Sequence, residues 1–128
     1  MTNKRQIATD KAPAALGPYS QAIVAGGMLF ASGQVPIVPA TGEMAGETIE
    51  EQAKQVFENL GAVLAEAGLD FSDVVKTTVF LADLADFATV NEIYAGYFTQ
   101  PYPARSCVQI AALPKGSLLE IELIAAMR

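Results

Sequence analysis

The segment YPARSCVQIAALPKGSLLEIELIA, residues 102–125, combines three side chains that can do chemistry with apolar residues that alternate as in β-strands. Arg105 carries a fixed cation, Cys107 is the only thiol of the chain, and Glu120 can exchange a proton. Because the chain contains no histidine, a carboxylate is the acid or base that is left. These residue types favour a small polar site held by strands, provided that the fold brings the strands together.

The composition restricts the class of protein. The 128 residues are 52% hydrophobic and 17% charged, which suffices for one core and not for two ordinary domains. We therefore expect a single domain over residues 1–128. Eight basic and fourteen acidic side chains give a net charge of −6, with no basic cluster to meet a phosphate backbone. Nucleic acid is not expected as a partner.

Metal sites, disulfides and membrane spans are disfavoured on similar grounds. One cysteine cannot form an internal disulfide, and without histidine a zinc site would consist almost wholly of carboxylates. No stretch approaches the roughly 20 apolar residues that a membrane span needs, and MTNKRQIATDKAP at the start contains no apolar leader. We expect a cytoplasmic protein without a metal or a membrane contact.

The N-terminal half predicts a hairpin and then a helix. Apolar runs on either side of Gly26–Gly27 suit a two-residue hairpin turn, and the aperiodic VPIVPATGEMAGE suits a loop. Thr48 and Glu51 have the spacing of a capping box. Apolar residues then recur at helical intervals until Gly68, which predicts a helix over residues 49–67.

The C-terminal half predicts a strand, a second helix and two more strands. VVKTTVFLA is β-branched and alternating, and a helical stripe from Phe87 to Phe98 must end at Pro101. Strands are expected near residues 104–111 and 117–127, and a short additional strand fits around residues 6–8. This order indicates an α+β domain of two layers, with both helices on one face of the sheet.

The face of the sheet without helices needs a cover. In VVKTTVFLA, Val74 and Phe80 are expected on one face and Val75, Val79 and Leu81 on the other, so both faces are apolar. Since no further helix follows, self-association as a small symmetric ring is the simplest solution.

Alternation along the last two strands assigns the polar residues to a face. We expect the apolar residues of these strands to face the helices, which places Arg105, Cys107 and Glu120 on the uncovered face. A polar group at an apolar contact between subunits suggests a cleft. The apolar residues meant are Val108, Ile110, Leu119, Ile121 and Leu123.

Six segments carry a resemblance to a known family. They are GPYSQAI (17–23), ASGQVP (31–36), NLGAVLAEAGL (59–69), VVKTTVFL (74–81), VNEIYAGYF (90–98) and PARSCVQIAALPKGSLLEIE (103–122). The most specific feature is an arginine and a cysteine separated by one residue, followed by Leu-Pro and then Glu-Ile-Glu. From about residue 5 to its end, the chain resembles the RidA/YjgF family of enamine and imine deaminases.

The resemblance implies a chorismate-mutase-like fold, with a mixed sheet of about six strands and two helices on one face. It also implies a homotrimer with three clefts between subunits. From the residues alone, the last two strands would pair as a hairpin across LPKGS, whereas the family topology places the final strand in the middle of the sheet beside MLFAS. That topology would bring Glu120 near Ser32 and Gly33 and leave Arg105 and Cys107 on a more distant strand.

The reaction implied by the resemblance is hydrolysis of 2-imino acids, formed from 2-aminoacrylate or 2-aminocrotonate, to 2-keto acids and ammonia without a cofactor. Arg105 would hold the substrate carboxylate through two parallel hydrogen bonds, and Glu120 would position and deprotonate water. Burial in a cleft would raise the pKa of Glu120. Without such a site, Arg105 would be an ordinary ion pair and Glu120 an outward-facing carboxylate.

The other candidates line the same cleft. A packing or pocket-lining role is favoured for Cys107 over a nucleophilic one, because only Arg105 is near to activate the thiol, and the resemblance implies that its backbone bonds to the substrate. Tyr19, after a Gly-Pro turn, would cover the cleft mouth or be an ordinary half-buried tyrosine. Ser32 and Gly33 end a strand where a ligand can approach the backbone closely.

Two further functions remain open alternatives. A trimeric module that binds small carboxylates without turnover would need Arg105 but not Glu120. A nuclease or translation-inhibiting role fits poorly with an acidic chain that lacks histidine. The joint presence of Tyr19, Ser32, Arg105, Cys107 and Glu120 favours the deaminase.

Overall fold

A computed structural model describes residues 3–128, which form six strands and two helices. Neither helix in this part of the chain is long and apolar enough to cross a membrane. The strands are β1 (Arg5–Ile7), β2 (Ala22–Ala25), β3 (Met28–Gln34), β4 (Val74–Leu81), β5 (Ala104–Gln109) and β6 (Leu119–Ala126). The helices are α1 (Ile49–Glu66) and α2 (Phe87–Ala95).

The strands form one mixed sheet in the order β1-β2-β3-β6-β4-β5. β4 and β5 run parallel, and the other neighbouring strands run antiparallel. β6 therefore lies in the middle of the sheet, between β3 and β4, as the family resemblance implies and not as a hairpin with β5. The expected α+β architecture, with a mixed sheet of six strands and two helices, is confirmed.

Local sequence signals account for the first elements. Gly26 and Gly27 have φ angles of 59° and 75°, the positive values that a tight two-residue hairpin needs. The side chain of Thr48 accepts a hydrogen bond from Glu51 N–H, and the Glu51 carboxylate accepts one from Thr48 N–H, so the capping box forms. The predicted hairpin and first helix are confirmed, the helix ending one residue earlier than expected.

The core lies between α1 and the middle of the sheet. Fully buried side chains of α1 meet fully buried residues of β3, β4 and β6, and each large apolar side chain buried here stabilises the fold by about 1.5–3 kcal/mol. β6 is thus fixed between two strands and under a helix, which makes it a rigid support for a site. The central buried residues are Phe57, Leu60, Leu64, Leu29, Val79 and Ile121.

The expected face for Arg105 and Cys107 is wrong. Thr77 and Val79 of β4 are fully buried toward the helices, and the β4–β5 register sets Arg105 beside Thr77 and Cys107 beside Val79. Both residues therefore lie on the helix side, and Val108, 43% exposed, lies on the open face. The physical reason is that β5 is an edge strand, so its apolar residues need not face this chain's own core.

The assignment of Val74 and Val75 is wrong as well. Val74 is buried and pairs with the buried Ala125, whereas Val75 is exposed. A register shift between Val74 and Lys76 interrupts the alternation of side chains between the two faces. Counting alternate residues back from Phe80 therefore assigns the wrong face at the start of the strand. The open face nevertheless carries exposed apolar side chains, as expected, including Phe30 and Val108.

Candidate active site

The carboxylate of Glu120 lies directly over Gly33. A Cβ added to Gly33 would lie 2.8 Å from Glu120 Cδ and would collide with Oε2, so only glycine leaves room for the carboxylate at this position. The close approach coincides with an irregularity in the β3–β6 pairing between Ala31 and Gln34. The expectation that β6 would bring Glu120 to Ser32 and Gly33 is therefore confirmed.

Glu120 lines a cavity of about 520 Å³ together with Tyr19, Ser32 and Gly33. Ser32 Oγ donates a 2.6 Å hydrogen bond to Ser20 O, and Ser32 N–H donates to Gln21 O at 2.9 Å, which ties the segment after Tyr19 to β3. Tyr19 is exposed beside this anchor. The remaining wall is largely apolar and includes Pro13, Leu16, Val35, Ile37, Pro39 and Pro114.

The environment of Glu120 favours its protonated form. Burial in the cavity raises the pKa of the carboxyl above its ordinary value, and the nearby Glu122 carboxylate raises it further. A carboxyl with a raised pKa holds a proton more readily than an ordinary glutamate, which suits a group that must take and return one. The cavity thus combines a carboxyl of raised pKa with a largely apolar wall that also includes Lys115.

Arg105 belongs to a second cavity, of about 390 Å³, on the helix side of β5. Its Nη1 donates a 2.7 Å hydrogen bond to Asn91 Oδ1 on α2. Its guanidinium carbon lies 4.8 Å from the ring centroid of Tyr94 and 5.4 Å from that of Phe87, both within cation–π range. Among residues 3–128 Arg105 forms no ion pair, so its charge is available to an anionic ligand.

Cys107 is half-buried and packs against the hydrophobic core. Burial raises the pKa of its thiol, an effect that the nearby Arg105 only partly offsets. Because the thiolate is the nucleophilic form, a raised pKa works against nucleophilic catalysis and in favour of packing.

Arg105 and Glu120 do not meet within one chain. Arg105 on β5 pairs with Thr77 of β4, and Glu120 on β6 pairs with Phe80 of β4. At usual strand spacings, the Cα atoms of Arg105 and Glu120 are therefore about 14 Å apart. The two side chains also lie on opposite faces of the sheet, and their cavities share no lining residue. Of the candidates, Tyr19, Ser32, Gly33 and Glu120 come together, whereas Arg105 and Cys107 form a separate group.

Sequence reasoning left out the residues that surround Arg105. Asn91 was not assigned to the site, and Tyr94 belonged only to the apolar stripe from Phe87 to Phe98. The signal that could have found them is their spacing of three, which puts an amide and a phenol on the same side of α2. Within the described residues, no group of carboxylates and thiol is placed to hold a metal ion.

Comparison with known proteins identifies the family of the chain. A family model described as endoribonuclease L-PSP matches residues 9–127. The Arabidopsis thaliana protein named Reactive Intermediate Deaminase A, chloroplastic, is 56% identical over 124 residues, which are 97% of this chain and 66% of that protein. The human protein named 2-iminobutanoate/2-iminopropanoate deaminase is 52% identical over 122 residues, or 95% of this chain and 89% of that protein.

A solved structure from Yersinia pestis shares the same fold. It is described as YyfA, a protein of unknown function in the conserved Rid family, and superimposes with a TM-score of 0.95 at 50% identity. The superposition covers 97% of this chain and 99% of that one.

Proposed function

This chain belongs to the RidA/YjgF family, whose model is described as endoribonuclease L-PSP, and from that premise we propose that it hydrolyses reactive 2-imino acids. Water adds to the carbon of the C=N bond, the C–N bond then breaks, and the products are a 2-keto acid and ammonia. The substrates are small molecules such as 2-iminopropanoate and 2-iminobutanoate, which arise from 2-aminoacrylate and 2-aminocrotonate. No cofactor is required for this chemistry.

The observation that carries the proposal is the Glu120 carboxylate held over Gly33 in an apolar cavity. In the first step the ionised carboxylate takes a proton from water as the oxygen attacks the imine carbon. In the second step the protonated carboxyl returns its proton to the nitrogen, and the hydroxyl proton of the adduct also passes to that nitrogen as the C–N bond breaks and the C=O bond forms, which releases the 2-keto acid and ammonia. A raised pKa serves both steps, because the group must change protonation state twice in each cycle.

Arg105 supplies the second half of the proposed site. Its planar guanidinium binds the substrate carboxylate through two parallel hydrogen bonds. Cys107 lines the pocket beside it and offers backbone groups to the substrate. Tyr19 and Ser32 close the other side, so that the imine carbon is held near Glu120.

Because Arg105 and Glu120 are separated in one chain, the proposed site requires a second copy. We propose a homotrimer in which the edge strand β5 of one subunit approaches the Glu120 cavity of its neighbour. The exposed apolar side chains of the open face, among them Phe30 and Val108, would be covered in the same assembly.

Light scattering should therefore give about three times the chain mass of 13.5 kDa. Phe30→Lys should lower that mass, because it places a charge on the face that the assembly buries. Lys54→Gln, on α1, is the matched control and should remain trimeric. A parent protein that is monomeric at micromolar concentration would exclude a site between subunits.

Replacing the thiol tests whether it takes part in the chemistry. Cys107→Ser should fold, assemble and keep most of the imine hydrolysis, because the proposed role uses backbone and shape. The loss of hydrolysis rate should stay well below ~10²-fold, the smallest effect usual for a residue that transfers a proton. Complete inactivity of a folded serine variant would instead indicate a thiol mechanism.

The deciding experiment generates 2-aminoacrylate with a serine or threonine dehydratase and follows the decay of imine absorbance. The purified protein should accelerate this decay. If it binds 2-oxobutanoate but does not accelerate decay, the carboxylate-binding module replaces the enzyme. Incubation with RNA is included because of the family description, and no cleavage is expected from a chain with a net charge of −6.

We further propose that the protein works in the cytoplasm, where dehydratase products are released. The Arabidopsis relative is named chloroplastic, so imaging of a tagged full-length chain is the appropriate test.

A further inference from the structure

The guanidinium of Arg105 is held by one helix. Asn91 accepts its Nη1 hydrogen bond at 2.7 Å, and the ring of Tyr94 lies 4.8 Å beneath its central carbon. Tyr94 is itself fixed, because its hydroxyl shares a buried 2.7 Å hydrogen bond with Thr77 Oγ1 on β4. Arg105 is an exposed residue on an edge strand, where an unrestrained arginine samples many rotamers.

The chemistry of residue 91 matters as much as its position. An aspartate there would also fix the guanidinium, but its charge would neutralise the cation and compete with a ligand carboxylate. Asparagine accepts the same hydrogen bond without a charge. Because Asn91 contacts one terminal nitrogen, the N–H groups on the other nitrogens of the fork remain for a ligand.

We propose that Asn91 is a positioning residue, which orients Arg105 against the Tyr94 ring and leaves its charge free for the carboxylate of the substrate. This inference rests on the proposed function, in which Arg105 binds that carboxylate. Its physical basis is pre-organisation: a side chain already ordered in the free protein loses less conformational entropy when the ligand binds. Asn91 then affects binding more than the proton transfers at Glu120.

The test replaces Asn91 in two ways. Asn91→Leu keeps a branched side chain and removes the acceptor, and Asn91→Asp keeps the acceptor and adds a charge. Both should weaken the binding of 2-oxobutanoate, measured by calorimetry, by about tenfold. They should raise KM for the imine much more than they lower kcat. Glu92→Gln, an exposed neighbour on α2, is the matched control and should bind like the parent.

A ligand-free measurement separates this inference from the proposed function. Side-chain ¹⁵N relaxation should show a restrained Arg105 Nε in the parent and a mobile one in Asn91→Leu. If folded Asn91→Leu binds 2-oxobutanoate as tightly as the parent, the positioning role is wrong and the proposed function stands. If the parent does not accelerate imine decay, the proposed function fails, and the relaxation data alone decide whether Asn91 holds Arg105. If Asn91→Leu does not fold, Asn91→Ser is measured in its place.

Discussion

Arg105→Ala should abolish both the binding of small carboxylates and the hydrolysis of imines. Among residues 3–128 Arg105 has no carboxylate partner, and it lies beside an open cavity, so its removal would leave the ligand carboxylate unpaired. Truncating one partner of a hydrogen-bonded charge pair costs about 2–5 kcal/mol, which corresponds to a loss in affinity of roughly 30-fold to several thousand-fold. Calorimetry with 2-oxobutanoate and the imine decay assay measure the two losses.

Two variants control this result. Arg105→Lys keeps the charge but cannot form two parallel hydrogen bonds, so it should restore only a small part of the binding. Arg128→Ala removes a cation after β6 that pairs with Asp70 and Asp73, and it should bind like the parent. Tight binding of 2-oxobutanoate by Arg105→Ala would show that another group holds the carboxylate.

Local sequence signals predicted the elements of this fold, but not the order of its strands. The glycine pair, the capping box of Thr48 and Glu51 and the alternation in VVKTTVFLA each report on neighbouring residues, and each element formed where expected. The position of β6 depends on contacts between distant segments, which periodicity does not encode. Only the family resemblance indicated that β6 would lie beside β3.

The same limit explains the error over Arg105. Alternation shows that Arg105 and Val108 lie on opposite faces of β5, but it does not show which face meets the helices. In a central strand such as β6, apolar residues face the core, and Glu120 was placed correctly. In an edge strand the hydrophobic side can serve a contact with another chain, and the helix side can hold a cation on aromatic rings, as Tyr94 does here.

Glu120→Gln should separate binding from turnover. The amide keeps the size and much of the hydrogen bonding of the carboxylate but cannot accept a proton from water. Calorimetry should therefore find 2-oxobutanoate bound nearly as in the parent, while imine hydrolysis falls by about 10²- to 10⁴-fold, the usual contribution of general acid–base catalysis. Glu66→Gln, at an exposed position of α1, is the matched control and should keep most of the activity.

The pH dependence gives the same residue a second signature. Since burial and Glu122 raise the pKa of Glu120, hydrolysis should decline as pH falls through that raised pKa, at a higher pH than for an ordinary glutamate. The raised pKa also lowers the stability of the folded protein. Because the pKa of Glu120 is higher in the folded than in the unfolded state, the free energy of unfolding falls as pH rises through the folded pKa. Glu120→Gln should therefore be at least as stable as the parent at neutral pH.

Gly33→Ala tests the placement of the carboxylate rather than its chemistry. The added methyl would occupy the position of the Glu120 side-chain oxygens, and because that side chain is flexible, the fold should survive while the carboxylate moves. Hydrolysis should then fall although Glu120 is still present, and 2-oxobutanoate should still bind through Arg105. If Glu120→Gln hydrolyses the imine as fast as the parent, Glu120 is not the group that activates water, and loss of activity in Gly33→Ala would have to come from blocked access to the cavity.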